Sequence, residues 1–139
     1  MTRYRWIKVK NLLLEVGLPP IFLVLMMQMT LFILGCFIDP TGILMLTTPI
    51  YVPVIQALGF HNVWFGCLFI MNMEMAFLTP PYGVNLFYLR GIVPKEIPTK
   101  DIWRAALVFI MVQAIGLTLV LLFPQLALWL PNLLFGVEK

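Results

Sequence analysis

The chain has 139 residues, of which 62% are hydrophobic and 11% are charged, whereas soluble domains have roughly 45–50% apolar and about 25% charged residues. Between Glu15 and Arg90 the only charged side chains are Asp39 and Glu74, so the middle of the chain is not a surface that faces water. The composition excludes an ordinary soluble domain and predicts an all-α integral membrane protein in a lipid bilayer.

The net charge of +3 comes from the chain ends and one later connection. Residues 1–18 form a basic segment, and further basic residues lie between residues 90 and 104. These charges suit anionic lipid headgroups, because no groove of alternating aromatic and basic residues accompanies them. We therefore predict contact with the bilayer and no nucleic-acid partner.

Four apolar blocks follow in chain order, at residues 19–38, 42–60, 63–89 and 105–123. A helix that crosses the bilayer needs about 20 apolar residues. The first and last blocks reach that length, the third exceeds it even with a break inside it, and the second is marginal.

A short polar turn separates the first two blocks, and residues 39–42 comprise Asp39, Pro40, Thr41 and Gly42. If the turn lies at the membrane surface, Asp39 caps the next helix and Pro40 occupies its first position. If the turn lies within the membrane, it is the tip of a re-entrant hairpin whose backbone groups line a cavity. Hydropathy does not choose between these interpretations.

The third block predicts a helix with a break at residues 79–85. Pro80 and Pro81 remove two backbone donors, so a helix that enters at Phe77 cannot continue unbroken. Gly83 permits unusual backbone angles, and Thr79 and Asn85 add side-chain oxygens. Freed carbonyls with such oxygens suit a hard monovalent cation; the alternative is a proline kink that binds nothing.

Glu74 lies inside the third block, where an ionisable group is costly and usually faces a cavity or a partner. It is either a coupling carboxylate or a carboxyl group that is hydrogen-bonded by Asn72 or by a neighbouring helix. Cys36 and Cys67 sit in apolar surroundings with no His or Cys at ligand spacing. We therefore predict that the cysteines pack as small hydrophobes and that there is no transition-metal site.

The remaining segments are assigned by pattern. Residues 94–104 predict a short amphipathic stretch along the membrane interface, and residues 105–123 predict a final crossing. Residues 124–139 predict a C-terminal interfacial segment, with Trp129 at the depth of the lipid headgroups.

Two motifs then point to a family. The Asp39–Pro40 turn is followed by "LTTPIYVP", and "LTPPYGVNLF" is followed by "RGIVPK". Together with the order of the apolar blocks, these motifs resemble the C-terminal part of the large membrane (permease) subunit of tripartite ATP-independent periplasmic (TRAP) transporters. The resemblance covers roughly residues 19–134, and residues 1–18 match the family poorly.

The resemblance implies a transporter rather than an enzyme. It implies a sodium-coupled symporter that imports organic acids, such as C4-dicarboxylates, across the bacterial inner membrane, with Na+ as coupling ion and no other cofactor. Its partners would be a soluble periplasmic substrate-binding protein, a small membrane subunit and the remaining N-terminal portion of the large subunit. The loop around Lys95 would be cytoplasmic.

The resemblance also implies a fold and a site. Residues 19–60 would form a re-entrant hairpin with its tip at 39–42, and residues 63–89 would form a discontinuous transmembrane helix, as in one inverted repeat of an elevator-type transporter. Sodium or substrate would bind between tip and break, at Asp39, Pro40, Thr41, Gly42, Thr79, Pro80, Pro81, Gly83 and Asn85.

Two other functions stay open from the sequence. The chain resembles about a third of a transporter, so it is alternatively a truncated fragment without transport activity, or a structural membrane protein. An intramembrane enzyme could use Asp39 and Glu74 as an acid–base pair, although the two residues lie on different blocks without a known enzyme signature.

Overall fold

The structure is a computed structural model that describes residue 17 and residues 19–80 and 83–136. These residues form six α-helices and no strand, which confirms the prediction of an all-α protein. The basic segment 1–18 lies outside the described residues, apart from Gly17. The helices are α1 (Pro20–Gly35), α2 (Pro40–Ala57), α3 (Asn62–Leu78), α4 (Val84–Ile92), α5 (Thr99–Leu122) and α6 (Gln125–Phe135).

Proline marks the start of four helices. Pro20 and Pro40 occupy the first positions of α1 and α2, and Pro98 and Pro124 immediately precede α5 and α6. The first turn of a helix has no intrahelical use for these N–H groups, so a proline there removes no hydrogen bond. These helix starts are therefore readable from the sequence.

Helix α3 is the centre of the fold. It contacts each of the other five helices, whereas α1 and α5 do not contact each other, so α3 lies between them. The main core cluster gathers buried side chains of α1, α2, α3 and α5, namely Val24, Leu31, Ile43, Ile55, Trp64, Phe65, Leu68, Met73 and Leu121.

Helices α3 and α5 run antiparallel. The indole Nε1 of Trp64, near the start of α3, donates to the carbonyl of Val120 near the end of α5, at 2.7 Å. Further along, the amide Nε2 of Gln113 donates to the Glu74 carboxylate at 3.0 Å. Two polar contacts therefore join this helix pair, one near the start of α3 and one near its end.

Helices α1 and α3 run parallel and pack closely. The amide Nδ2 of Asn72 donates to both the carbonyl and the side-chain oxygen of Gln28, at 2.7 and 2.6 Å. At the end of α1, a Cβ built on Gly35 would lie 2.7 Å from the Cβ of Ala76. Small residues allow such close helix contact in membrane proteins.

The lengths of the helices differ in part from the membrane crossings that the sequence predicts. Among the described residues, one helix is long and apolar enough to cross a bilayer, the 24-residue helix α5. Helix α1 has 16 residues and α3 has 17, or about 24 and 26 Å against a hydrocarbon core of about 30 Å. The first block thus contains a shorter helix than its apolar length, because the chain turns at residues 36–39.

The C-terminal third also differs in detail. The segment predicted at 94–104 is not a separate element, because α5 starts at Thr99 and continues without interruption into the predicted crossing. No proline or glycine lies between Thr99 and Ala105 to end the helix. Within 124–139, residues Gln125–Phe135 form helix α6, which packs against α3 and α5.

Candidate functional site

The turn between α1 and α2 contains the four residues predicted as a hairpin tip. Asp39 is the N-cap of α2, and its carboxylate accepts a hydrogen bond from the Gly42 N–H at 3.1 Å. Pro40 and Thr41 form the first turn with Gly42, and Asp39, Thr41 and Gly42 are exposed in this chain. The side chain of Asp39 therefore makes the N-cap hydrogen bond that the sequence predicts.

The predicted helix break lies between α3 and α4. Helix α3 ends at Leu78, and Thr79 has extended backbone angles, φ −92° and ψ 130°. Gly83 has left-handed angles, φ 40° and ψ 51°, and is the N-cap of α4. This conformation is accessible to glycine at little cost, which explains the residue type at this position.

The irregular segment is shorter than predicted, and Asn85 falls outside it. Asn85 lies in the first turn of α4 and is exposed, because the helix resumes directly after Gly83. The Gly83 carbonyl accepts the N–H of Leu86 at 2.7 Å, which closes that first turn. Pro81 lies outside the described residues, so its placement stays a prediction.

Thr79 donates hydrogen bonds to two carbonyls at the end of α3. Its N–H donates to the Ala76 carbonyl at 3.0 Å, and its hydroxyl donates to the Met75 carbonyl at 2.8 Å. The Phe77 carbonyl has lost its usual donor four residues on, because Pro81 has no N–H. The break thus offers acceptor oxygens, from Phe77 and from the lone pairs of the Thr79 hydroxyl.

The tip and the break lie at the same end of the α1–α3 pair. Gly35 and Ala76 are adjacent in this parallel pair. Asp39 follows Gly35 by four residues and Pro80 follows Ala76 by four, so the turn and the break both extend from this end of the helix pair. No hydrogen bond joins the tip to the break among residues 19–80 and 83–136.

Glu74 is bonded by a neighbouring helix, and Asn72 does not support it. The donor is Gln113 of α5, whereas Asn72 bonds Gln28 of α1. The Glu74 side chain is otherwise exposed in this chain. Since Asp39 caps α2 and Glu74 accepts from α5, the structure gives the two carboxylates different partners and does not pair them for acid–base chemistry.

The Gln28–Asn72 pair is a polar feature that the sequence did not predict. Both side chains are buried, and Gln28 Nε2 and Asn72 Oδ1 have no hydrogen-bond partner in the described part of the chain. The two residues are 44 positions apart. In the sequence, the two residues are recognisable only as amide side chains inside apolar blocks, and this does not identify them as partners.

The break and the α1–α2 turn contain oxygen atoms of three kinds. Within the described ranges, no group of three or more His, Cys, Asp or Glu side chains could hold a metal ion. Carbonyl, hydroxyl and carboxylate oxygens are instead the groups at Phe77, Thr79 and Asp39. These hard oxygen ligands fit Na+ in type.

Comparison with known proteins identifies relatives of this chain. The family described as "Tripartite ATP-independent periplasmic transporter, DctM component" matches residues 6–126, so the match includes most of the segment 1–18 that we expected to match poorly. Similar proteins include the C4-dicarboxylate TRAP transporter large permease protein DctM of Vibrio cholerae, 33% identical over 126 residues, which are 91% of this chain and 27% of that protein. The sialic acid TRAP transporter large permease protein SiaM of Vibrio cholerae is 37% identical over 117 residues, or 84% of this chain and 27% of that protein.

A third relative has a different named substrate. The ectoine TRAP transporter large permease protein TeaC of Halomonas elongata is 32% identical over 105 residues, or 75% of this chain and 24% of that protein. The chain therefore spans about a quarter of the length of these relatives. Because the family match covers most of its residues, the chain belongs to the DctM component family of TRAP transporters.

Proposed function

We propose that this chain supplies one half of the site for sodium and substrate in the permease of a TRAP transporter. The observation that supports this most directly is the break between α3 and α4, which lies at the same end of the α1–α3 pair as the α1–α2 turn. Irregular backbone inside an apolar segment is expected only where it is buried in protein or lines a cavity.

The oxygen and N–H groups at the break have complementary uses. The Phe77 carbonyl and the Thr79 hydroxyl oxygen would hold Na+, whose charge would compensate for the donor that the Phe77 carbonyl lacks. The N-termini of α2 and α4 present free N–H groups, which favour a substrate carboxylate. Asp39 holds the start of α2 through Gly42, so its role in this proposal is to shape the tip.

The lengths of α1 and α2 favour the hairpin over two full crossings. Helix α1 measures about 24 Å and the 18-residue α2 about 27 Å, both shorter than the hydrocarbon core of about 30 Å. Helix α2 also contains Pro49 and Pro53. We therefore retain the re-entrant hairpin and the elevator-type repeat as parts of the proposal.

The proposed transport reaction is sodium-coupled symport of an organic acid into the bacterial cytoplasm. The related permeases are named for C4-dicarboxylates, sialic acid and ectoine, compounds that all contain a carboxylate. We propose the inner membrane as location. The proposed partners are a periplasmic substrate-binding protein, a small membrane subunit and the remaining portion of the large subunit.

Replacing both prolines of the break tests the proposal. Pro80→Ala with Pro81→Ala restores two N–H donors, so α3 can continue and satisfy its own carbonyls. We expect the double variant to be at least as thermally stable as the wild type in detergent, yet to lose sodium-dependent uptake. Uptake is measured in vesicles that contain the complementary permease portion, the small subunit and the binding protein.

Pro53→Ala is the matched control, because it removes a proline from inside α2 without touching the break. It should keep the sodium dependence of uptake. Sodium coupling retained in the Pro80/Pro81 double variant would refute the site and support a proline kink. A fully assembled wild-type complex that shows no uptake would favour the alternative of a transport-inactive fragment.

A further inference from the structure

A narrow apolar crevice runs between α4 and α5. Two adjoining cavities of about 80 and 180 Å³ share Pro80, Leu86 and Trp103 as lining residues. Towards its deeper end the crevice is lined by Ala106, Leu107 and Ile110. Cavities of this size admit a hydrocarbon chain but not a second helix, whose diameter with side chains is about 10 Å.

One basic side chain, Arg90, lines the mouth of the crevice. Arg90 lines the first cavity together with Thr99, and its Nη1 donates to the Ile97 carbonyl at 2.7 Å. A guanidinium has five N–H donors, so this bond leaves capacity for an anion. Lys100 and Arg104 do not line the cavity but follow Thr99 and Trp103 directly on α5, and both are exposed. Residues 90–104 carry four basic side chains and two acidic ones, Glu96 and Asp101, so the connection keeps a net charge of +2.

The depth of the crevice matches a lipid that stands in one leaflet. Arg104 is the last charged residue before residues 105–136, which have no charge. From Thr99 to Ile110 the crevice extends about 16 Å along α5, of which about 9 Å lies beyond Arg104. One leaflet contributes about 15 Å of hydrocarbon. Arg104 thus lies at the depth of the lipid headgroups, and the apolar lining lies at the depth of the part of the acyl chain next to the headgroup.

We propose that this crevice binds one anionic glycerophospholipid. Its phosphate contacts Arg90, Lys100 and Arg104, and one acyl chain enters the space between α4 and α5. Positive charge at the mouth selects an anionic headgroup, while the apolar lining selects the chain. Trp103, which is 45% exposed, lies at the boundary between the two, where indole rings are favoured.

Quenching of Trp103 fluorescence by bromine-labelled lipids tests the site in the full chain. The chain is placed in phosphatidylcholine bilayers that contain either brominated phosphatidylglycerol or brominated phosphatidylcholine. The Trp103 signal is the difference between the wild type and Trp103→Phe. We expect phosphatidylglycerol to be preferred at Trp103 by on the order of tenfold, and inorganic phosphate at millimolar concentration to leave the quenching unchanged.

Variants separate a built site from general attraction of a basic protein to anionic lipid. Arg90→Gln, Lys100→Gln and Arg104→Gln together should reduce the preference to near unity. A control with Arg3, Arg5 and Lys8 changed to Gln removes the same net charge and should keep the preference. Both triple variants are checked for wild-type helicity by circular dichroism.

A second pair of variants tests the apolar part without changing charge. Leu107→Phe narrows the crevice and should weaken the quenching, whereas Val108→Phe, at the adjacent exposed position, should not. Equal loss of preference in the two triple variants, equal quenching by both lipids, or displacement by free phosphate would each overturn the proposal.

Discussion

The contact between Gly35 and Ala76 gives a prediction with an unusual sign. Exchanging a helical glycine for alanine normally stabilises a helix, by up to about 1 kcal/mol. At Gly35 the new Cβ would lie 2.7 Å from Ala76 Cβ and 3.2 Å from Met73 Cε. We expect Gly35→Ala to destabilise the protein instead, because α1 and α3 must separate.

The size of the effect follows from the same distances. Ordinary contacts at a Cβ begin at 3.4 Å, so the helices must move apart by about 0.7 Å at this point. Met73 Cε can move because it ends a flexible side chain, but Ala76 Cβ is fixed to the backbone. Overpacking of this kind costs about 1–3 kcal/mol, so after a gain in helix propensity of about 1 kcal/mol the net loss is up to about 2 kcal/mol.

Gly66→Ala provides the matched control, since Gly66 lies inside α3 and nothing lies within 4 Å of its built Cβ. Unfolding in mixed detergent micelles, followed by circular dichroism, should show the control to be neutral or more stable. Adding Ala76→Gly to Gly35→Ala should recover part of the loss. If Gly35→Ala and Gly66→Ala change stability in the same direction, the close helix contact is refuted.

Three further predictions concern polar contacts and access. Asn72→Leu should lower stability by about 1–3 kcal/mol because it strands the Gln28 side chain, and Gln28→Leu added to it should recover part of the loss, as the same unfolding assay would show. Trp64→Phe should cost about 1–3 kcal/mol through the lost hydrogen bond to Val120 and the smaller ring, and an unchanged midpoint would contradict that contact. Cys at Thr41 in a Cys-free chain should be labelled by aqueous thiol reagents more slowly with sodium in the assembled transporter; equal rates would argue for a surface turn.

Helix starts were predictable because they depend on local chemistry. The Asp39–Pro40 pair specifies an N-cap followed by a first helical residue, and the structure shows both. Gly83 similarly marks the residue at which left-handed backbone angles are needed. Such signals depend on neighbours within one turn, so a sequence contains all the information required.

The extent of the break was harder to predict, because it depends on which backbone groups find new partners. The sequence indicated that two prolines release carbonyls, but it did not show that Thr79 would bond both Ala76 and Met75. It also placed Asn85 in the break, although Gly83 allows α4 to start at once. Competition among nearby donors decides such details, and residue types alone do not rank them.

Long-range pairing was not predictable. Gln28 and Asn72 are separated by 44 positions and bond only because α1 and α3 run parallel in contact. Gln113 and Glu74 are separated by 39 positions and meet because α3 and α5 run antiparallel. Of the two supports expected for Glu74, the neighbouring helix provides the hydrogen bond. Asn72 does not, since residues two apart on a helix point in different directions.

These pairings bear on how the proposed site would move during transport. The Gln28–Asn72 bonds and the Gly35–Ala76 contact both lie on the α1–α3 interface, and both precede the turn and the break. Separating α1 from α3 would expose a buried amide pair to an apolar environment, which is costly. The tip and the break are therefore expected to move together as one body, and any opening of the site must come from an element on the other side of the tip.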